Sequence, residues 1–442
     1  MAQPQVARSI GCGPCLRPSK PHLATPVEQA SRRLLALTYA LGRLKPRSVD
    51  LGYDAGVVDP GAEPLMEALG LVSPGTALRS GLDRVLQAKR GALVVVGDDP
   101  VILSICTGGF LLDAEFSPQR LSELAKMDGA IILAGDASRI ARANVHLMPK
   151  ASVPTSETGT RHRTAERVAR SVDVPVITVS ESMAVVTVYR NGRKHTLQRT
   201  GRLIDRAAQA ISTMERFKAR FDAALSALST LEVEDAVLVR DVVAVLQPGE
   251  MVLRFVEEVE GYLVELGEDG RLIRLQMEDL GAGLREALQL VVMDYAAHLS
   301  DTAVVRPSAR MSDGRIALRG GRAAADSGVN ALMSSLHALS YENLLDPHQV
   351  AAAVNLPTPD AASLQFLDLE VEPRGYRLLH RLPKIPEVII DRMINRYGTL
   401  PKIMQASTPD LEKIEGVGGA TARAVKSGLA RLAEVSILER YE

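Results

Sequence analysis

Apolar residues recur along the chain in three rhythms. From about Pro60 to Arg199 short unbroken apolar runs alternate with helical spacing. Thr76 to Lys89 carries apolar residues three and four apart, and residues 91–97 (GALVVVG) then read as a buried strand bounded by glycines. Pro118, at a first turn after Ser117, opens a helix that runs to Met127, and residues 128–134 (DGAIILA) form a second buried strand. Arg161 to Val172 reads as a helix and Val174 to Val179 as a third strand. Met183 to Leu197 follows as a hairpin, because Asn191 and Gly192 supply the positive φ of a type I′ turn. Together these elements predict an α/β domain over residues 61–200, a mixed sheet flanked by helices.

Beyond Gly201 the pattern becomes helical. Long amphipathic stretches run from Leu203 to Leu228 and from Val233 to Leu246, the second stopped at Pro248 and Gly249. Residues 201–370 thus read as an all-α spine. Val304 to Asn330 has no clear periodicity and is expected to be a loop or insertion, within an insertion near 304–340. Residues 371–442 read as short helices joined by turns. The first 60 residues, rich in Pro, Ser and Arg around one amphipathic stretch from Val27 to Leu41, are expected to form a poorly ordered extension.

At 442 residues the chain is long enough for roughly two to four domains. No apolar run approaches a bilayer span and the start lacks the order of a secretory signal, so a cytoplasmic protein without membrane contact is expected. Three cysteines cannot staple a chain of this length. Cys12 and Cys15 spell a CxxC but lack the strand and helix that a redox pair needs, so they read as coincidence or as text upstream of a later start near Met66. Charge changes the picture only when divided along the chain: the net is −1, yet residues 231–300 hold 15 acidic against 5 basic residues, and residues 373–442 hold 12 basic against 8 acidic. The spine would repel a phosphate backbone, and its expected role is spacing or assembly; only the C-terminal segment would attract one. The absence of Trp, with aromatics at 3%, argues against a single-strand groove built on stacked rings.

Two places concentrate chemistry. Asp128 sits where a loop meets a buried strand, next to a glycine that lets backbone approach a ligand. A lone carboxylate there suits a hard divalent ion that completes its shell with water and substrate phosphates. Thirty residues on, Gly159 and Thr160 cap a helix whose first turn carries Arg161, His162 and Arg163. Cations there oppose the helix dipole, and a bound polyphosphate would remove the conflict; a solvated basic turn is the other reading. Ser180, at a strand end, lacks a visible activating base and reads as a ligand contact or a strand end. No Walker A loop, no complete GxGxxG after a strand, no GxSxG and no HExxH is present. The second place is Gly416, Gly418 and Gly419 between two short helices. It fails as a dinucleotide fingerprint for want of a preceding strand.

Asp128-Gly129-Ala130 followed by Arg161-His162-Arg163 resembles the paired motifs of diadenylate cyclases. Residues 142–149 (RANVHLMP) and 156–166 (SETGTRHRTAE) resemble the DNA integrity scanning branch of that family. The likeness is close from Met66 to Gln198, looser in the spine, good at the C-terminus, and absent in the first 60 residues and around Val304 to Ser340. It implies condensation of two ATP into cyclic di-AMP and two pyrophosphates across opposed protomers, with Mg²⁺ or Mn²⁺ as cofactor and an octamer as the assembly. It further implies that Asp128 binds the metal and helps activate the 3′ hydroxyl, that Gly129 and Ala130 line the nucleotide pocket and that Leu147 packs on adenine. Thr160, Arg161, His162, Arg163 and Thr164 would hold phosphates, with Ser180 near the phosphate or metal region.

The C-terminal glycines resemble a helix-hairpin-helix, in which Gly416, Gly418 and Gly419 bring backbone N–H groups to a DNA phosphate while Lys413, Arg423 and Lys426 add charge. Residues 382–386 (LPKIP) before Val388 to Tyr397 resemble a degenerate first copy, with Pro386 where a glycine is expected. Branched DNA, bound without sequence specificity, is the implied regulator; a small helical packing module that touches no DNA is the other reading. An alternative for the whole chain is a DNA-scanning protein whose head senses a nucleotide without turning it over. A nuclease lacks the acidic cluster that two-metal cleavage needs.

Overall fold

The computed structural model describes residues 63–296, 321–358 and 364–439. The expected extension over residues 1–60, with Cys12 and Cys15, and residues 304–320 of the expected insertion lie outside them. The first elements, in chain order, are α1 (Glu63–Leu71), α2 (Ala77–Gln87), β1 (Ala92–Val96), α3 (Pro100–Ser104), β2 (Cys106–Thr107), β3 (Phe110–Glu115) and α4 (Pro118–Leu124). They continue with β4 (Ala130–Leu133), β5 (Arg139–Leu147), α5 (Thr160–Ser171), β6 (Val176–Ser180), β7 (Val185–Arg190) and β8 (Arg193–Thr196). The sheet runs β2-β5-β4-β1-β6-β7-β8, with β3 paired to β5. Only β1 and β4 are parallel; the other pairs are antiparallel.

Strand alternation divides the core in two. Val94 and Val96 of β1 pack with Leu82, Leu121, Ile131 and Ile177 under α1, α2 and α4. Leu93 and Val95 face the other way, toward Ile102, Ile132, Ala165 and Val168 under α3 and α5. Thr76 and Ser117 cap α2 and α4, each hydroxyl accepting an N–H three residues on. Asn191 and Gly192 both take positive φ, as the hairpin reading requires. The sequence pattern misses β2, β3 and β5. No residue of β3 is buried, and β5 buries one face and is interrupted at Asn144, whose φ is 53°.

The spine consists of α6 (Thr200–Glu234), α7 (Val239–Leu266), α8 (Arg271–Gly281), α9 (Leu284–Tyr295), α10 (Gly321–His337), α11 (Tyr341–Leu345) and α12 (Pro347–Ala353) around one apolar cluster. Two expectations fail here. Pro248 and Gly249 do not stop the helix but lie inside α7. Both are buried, and a Cβ at Gly249 would meet Leu288 at 2.7 Å and the Phe221 ring at 3.0 Å, so close helix packing holds the turn together despite the missing N–H. Residues 321–330, expected in a loop, belong to α10.

α13 (Tyr376–His380), α14 (Glu387–Tyr397), α15 (Leu400–Gln405), α16 (Thr408–Glu412) and α17 (Gly419–Glu439) close the chain around a third cluster. Two of its helix-turn-helix units share the same spacing 32 residues apart: residues 376–387 and residues 408–419 each hold a five-residue helix, a six-residue turn and the start of a longer helix. Leu379 and Leu411 are equivalent buried anchors, as are Leu382 and Ile414. The left-handed position in the second turn is Gly416 at φ 87°, and in the first it is Lys384 at φ 67°. Pro386 therefore stands opposite Gly418, and the strained residue is Lys384.

The C-terminal cluster is tied to the spine by a buried polar joint. Arg377 Nε and Nη2 donate to Glu232 at 2.9 Å, Tyr295 OH donates to the same carboxylate at 2.7 Å, and Asp294 accepts the N–H groups of Gly375, Tyr376 and Arg377. Burial, reinforced by the nearby Glu232 charge, pushes Asp294 up to about 7.

Candidate functional site

Strand direction gathers the site. Gly91 precedes β1 and Asp128 precedes its parallel neighbour β4, while Ser180 ends antiparallel β6, in which Val179 pairs with Ala92. All three therefore lie at one end of the sheet, beside the N-terminal ends of β1 and β4 and the C-terminal end of β6, whereas a purely parallel sheet presents its carboxyl ends to ligands.

At that end Gly159, Thr160, Arg161, His162, Val179, Ser180, Glu181 and Ser182 line an open depression of about 440 Å³. Gly159 caps α5 with ψ 143° and no side-chain acceptor, and the first turn holds no acid. The first helical bond is made by Arg163 N–H to the Gly159 carbonyl at 2.8 Å, so the N–H groups of Thr160, Arg161 and His162 precede the ladder. His162 Nε2 is buried without a partner. Arg161 Nη2 donates to Asp128 Oδ1 at 3.0 Å, and the Asp128 side chain is otherwise 98% exposed. The guanidinium rests over Gly91, where a Cβ would lie 2.4 Å from Nη1. Ser180 is buried; its Oγ accepts the Met183 N–H at 3.3 Å.

The structure thus brings together Thr160, Arg161, His162 and Ser180, with Asp128 joined through Arg161. Gly129, Ala130 and Leu147 are not among the walls. A Cβ at Gly129 would lie 2.3 Å from the Asn144 carbonyl carbon, so its missing side chain admits β5. Ala130 and Leu147 belong to the apolar layer beneath α5. Arg163 is exposed, its guanidinium 3.4 Å from the Thr158 carbonyl, and Thr164 is half-buried. Gly91, Glu181 and Ser182 are additions that the sequence reading missed. The last two directly follow Ser180; Gly91 has no local signal, because its role is set by a residue 70 positions away.

No group of three or more His, Cys, Asp or Glu side chains gathers for a metal among the described residues. The Asp128 carboxylate is a bare, hard oxygen donor open to solvent, which fits an ion that takes most of its shell from water and phosphate.

Of Gly416, Gly418 and Gly419, only Gly418 faces open space. A Cβ at Gly416 would touch Arg392 and Ile389 at 3.0 Å, and one at Gly419 would touch Glu412 at 2.9 Å. Lys413 pairs with Asp410 at 2.7 Å; that bond, with one from Ser407, holds Asp410 down to about 2. Arg423 Nε donates to the Gly419 carbonyl at 3.0 Å and is exposed, whereas Lys426 is tied to the Met404 carbonyl at 2.5 Å.

Residues 79–194 match the family model described as DisA bacterial checkpoint controller nucleotide-binding, and residues 197–314 match the DisA bacterial checkpoint controller linker region. The chain is 46% identical over 382 residues to the DNA integrity scanning protein DisA of Frankia alni, covering 86% of this chain and 99% of that protein. It is likewise 46% identical over 382 residues to the protein of that name from Streptomyces coelicolor, covering 86% and 95%. No helix among the described residues is long and apolar enough to cross a membrane. A nucleotide-binding head, a helical linker and identity sustained over nearly the whole of these relatives place the chain in the DNA integrity scanning protein DisA family.

Proposed function

We propose that this chain is a diadenylate cyclase condensing two ATP into cyclic di-AMP and two pyrophosphates. The observation that carries the reading is the acid-free first turn of α5, whose leading N–H groups, Arg161 and the unpartnered His162 Nε2 border one depression beside Asp128. Such a cradle suits a polyphosphate and little else.

In each of two equivalent transfers the ribose 3′ oxygen of one ATP attacks the α-phosphorus of the other. The new P–O bond forms as the bond to the α–β bridging oxygen breaks; the 3′ proton departs and pyrophosphate leaves. Thr160, Arg161 and His162 hold the phosphates, Arg163 and Thr164 flank them, and Ser180 contacts them from the strand end. Gly129 and Ala130 line the nucleotide pocket and Leu147 packs on adenine. Asp128 would hold Mg²⁺ or Mn²⁺, which when bound would polarise the phosphate and favour ionisation of the attacking hydroxyl. The depression is open and Asp128 stands fully exposed at its rim, which supports completion of the site by a facing protomer. The proposed assembly is an octamer of opposed rings. Catalysis is then mostly positioning and charge stabilisation.

The duplicated C-terminal turns support a tandem helix-hairpin-helix that grips branched DNA through backbone phosphates, with Gly418, Lys413 and Arg423 nearest the ligand. DNA bound there regulates the heads.

Purified protein incubated with ATP and Mg²⁺ or Mn²⁺, its products identified by mass spectrometry, tests the reaction. Wild type yields cyclic di-AMP and Asp128→Asn slows turnover by roughly 10²- to 10³-fold. Intact ATP from a folded, assembled wild type refutes the cyclase. Branched DNA that binds tightly yet leaves turnover unchanged refutes the regulation.

A further inference from the structure

Residues 153–158 have no regular structure, yet α5 reaches back and grips them. Thr155 Oγ1 donates to Glu166 Oε2 at 2.6 Å, and the Ser156 N–H donates to the same oxygen at 2.9 Å. Arg170 donates to Glu166 Oε1 at 2.7 Å and to the Pro154 carbonyl at 3.1 Å, while Arg167 donates to the Val153 carbonyl at 3.0 Å. From the other side, Glu157 accepts Lys194 Nζ at 2.8 Å and Tyr189 OH at 3.2 Å. The segment is therefore held at both ends just before Gly159 and Thr160.

Glu166 is the centre of this grip and is only 4% exposed. Burial raises its pKa, but the bonds from Thr155, Ser156 and Arg170 outweigh burial and hold it below the usual carboxylate range. The helix does not need a charge there, because Ala165, Val168 and Ala169 supply its apolar face. An apolar side chain at 166 would avoid the desolvation cost. What the carboxylate alone provides is a fixed path for the backbone entering α5.

Resting on the nucleotide reading above, we propose that Glu166 is a positioning residue for phosphate binding: it fixes residues 155–156 so that the N–H groups of Thr160 to His162 converge on the nucleotide. Glu166→Gln keeps the shape but turns one acceptor into a donor: an amide group facing the loop deprives both Thr155 and Ser156 of their shared acceptor, and one facing Arg170 sets donor against donor there. Leu121→Ala, on the buried side of α4 over the opposite face of the sheet, is a control for lost stability alone. The measurements are equilibrium binding of α,β-methylene ATP, thermal midpoint, and amide exchange over residues 155–162.

For Glu166→Gln the dissociation constant rises about tenfold or more and amide protection over these residues falls. Leu121→Ala, with an equal or larger drop in midpoint, binds as wild type, and Glu166→Asp recovers part of the affinity. Glu166→Gln binding within about twofold of wild type overturns the proposal, as does an equal affinity loss in Leu121→Ala. A wild type that binds no analogue overturns the nucleotide reading itself, and this proposal with it.

Discussion

Replacing Gly91 with alanine separates the site from the fold. The added methyl would lie 2.4 Å from Arg161 Nη1 and 3.1 Å from its Cζ, with the Val179 carbonyl next at 3.3 Å. Ordinary contact is about 3.5 Å, so the guanidinium must withdraw by about 1 Å while the strand absorbs a few tenths. Because Gly91 is not among the positive-φ glycines, alanine is tolerated there, and reduced freedom of the unfolded chain offsets part of the crowding. The thermal midpoint should stay within about 2 °C of wild type. The Arg161 to Asp128 bond, 3.0 Å in the structure, is lost. On the proposed phosphate-holding role of Arg161, a hydrogen bond from its guanidinium to the anion contributes about 1.5–3 kcal/mol, so its withdrawal should lower ATP affinity without divalent ion roughly 10- to 150-fold. Calorimetric titration of Gly91→Ala, Arg161→Ala and the double variant tests the route, because the glycine change should add nothing once Arg161 is gone. Unchanged affinity in Gly91→Ala, or an added loss in the Arg161→Ala background, refutes the reasoning.

Other expectations concern the spine. Arg377→Met leaves Glu232 buried with Tyr295 alone and should destabilise the C-terminal unit by about 3–5 kcal/mol in urea, much of it recovered by adding Glu232→Leu. His337, hydrogen-bonded to Glu250 and then Glu257, is pushed up to about 10. Its folded value exceeds the unfolded value of about 6.5, so its contribution is complete below pH ~6.5 and disappears as pH rises through about 10. The melting difference between wild type and His337→Gln should follow that course from pH 6 to 10. Gly249→Ala forces a methyl against Leu288 and Phe221 and should cost about 1–3 kcal/mol by overpacking, read from the denaturation midpoint.

Legibility in the sequence followed burial on two faces. β1 and β4 are buried throughout and announce themselves as apolar runs, whereas β5 carries Arg139, Arg142, Asn144 and His146 among its buried residues and so hides its alternation. β3 offers no inward face to read. Pro248 misled because the local rule for proline was overridden by packing that only the tertiary structure supplies. At the site, the two arginines Arg161 and Arg163 in an unfavourable place marked the first turn of α5, since a violated helix rule is visible in one dimension. Gly91 and the Glu166 grip were invisible because their meaning depends on partners brought near by strand order and a returning loop.

α6 is 35 residues long, about 52 Å from end to end, and contains no proline. Near its start the Glu265 carboxylate of α7 takes the Gln198 N–H and His195, while near its finish Glu232 is locked to Arg377. It therefore acts as a lever with a clamp at each end. A tilt of only 3° at the Arg377 joint moves the far end by about 2.7 Å over that length. Misplacement of about 1 Å between reacting groups can already cost on the order of 100-fold in rate. On the proposed cyclase reading, a load at the C-terminal tip too weak to unfold a single turn would thus carry a reacting pair out of range.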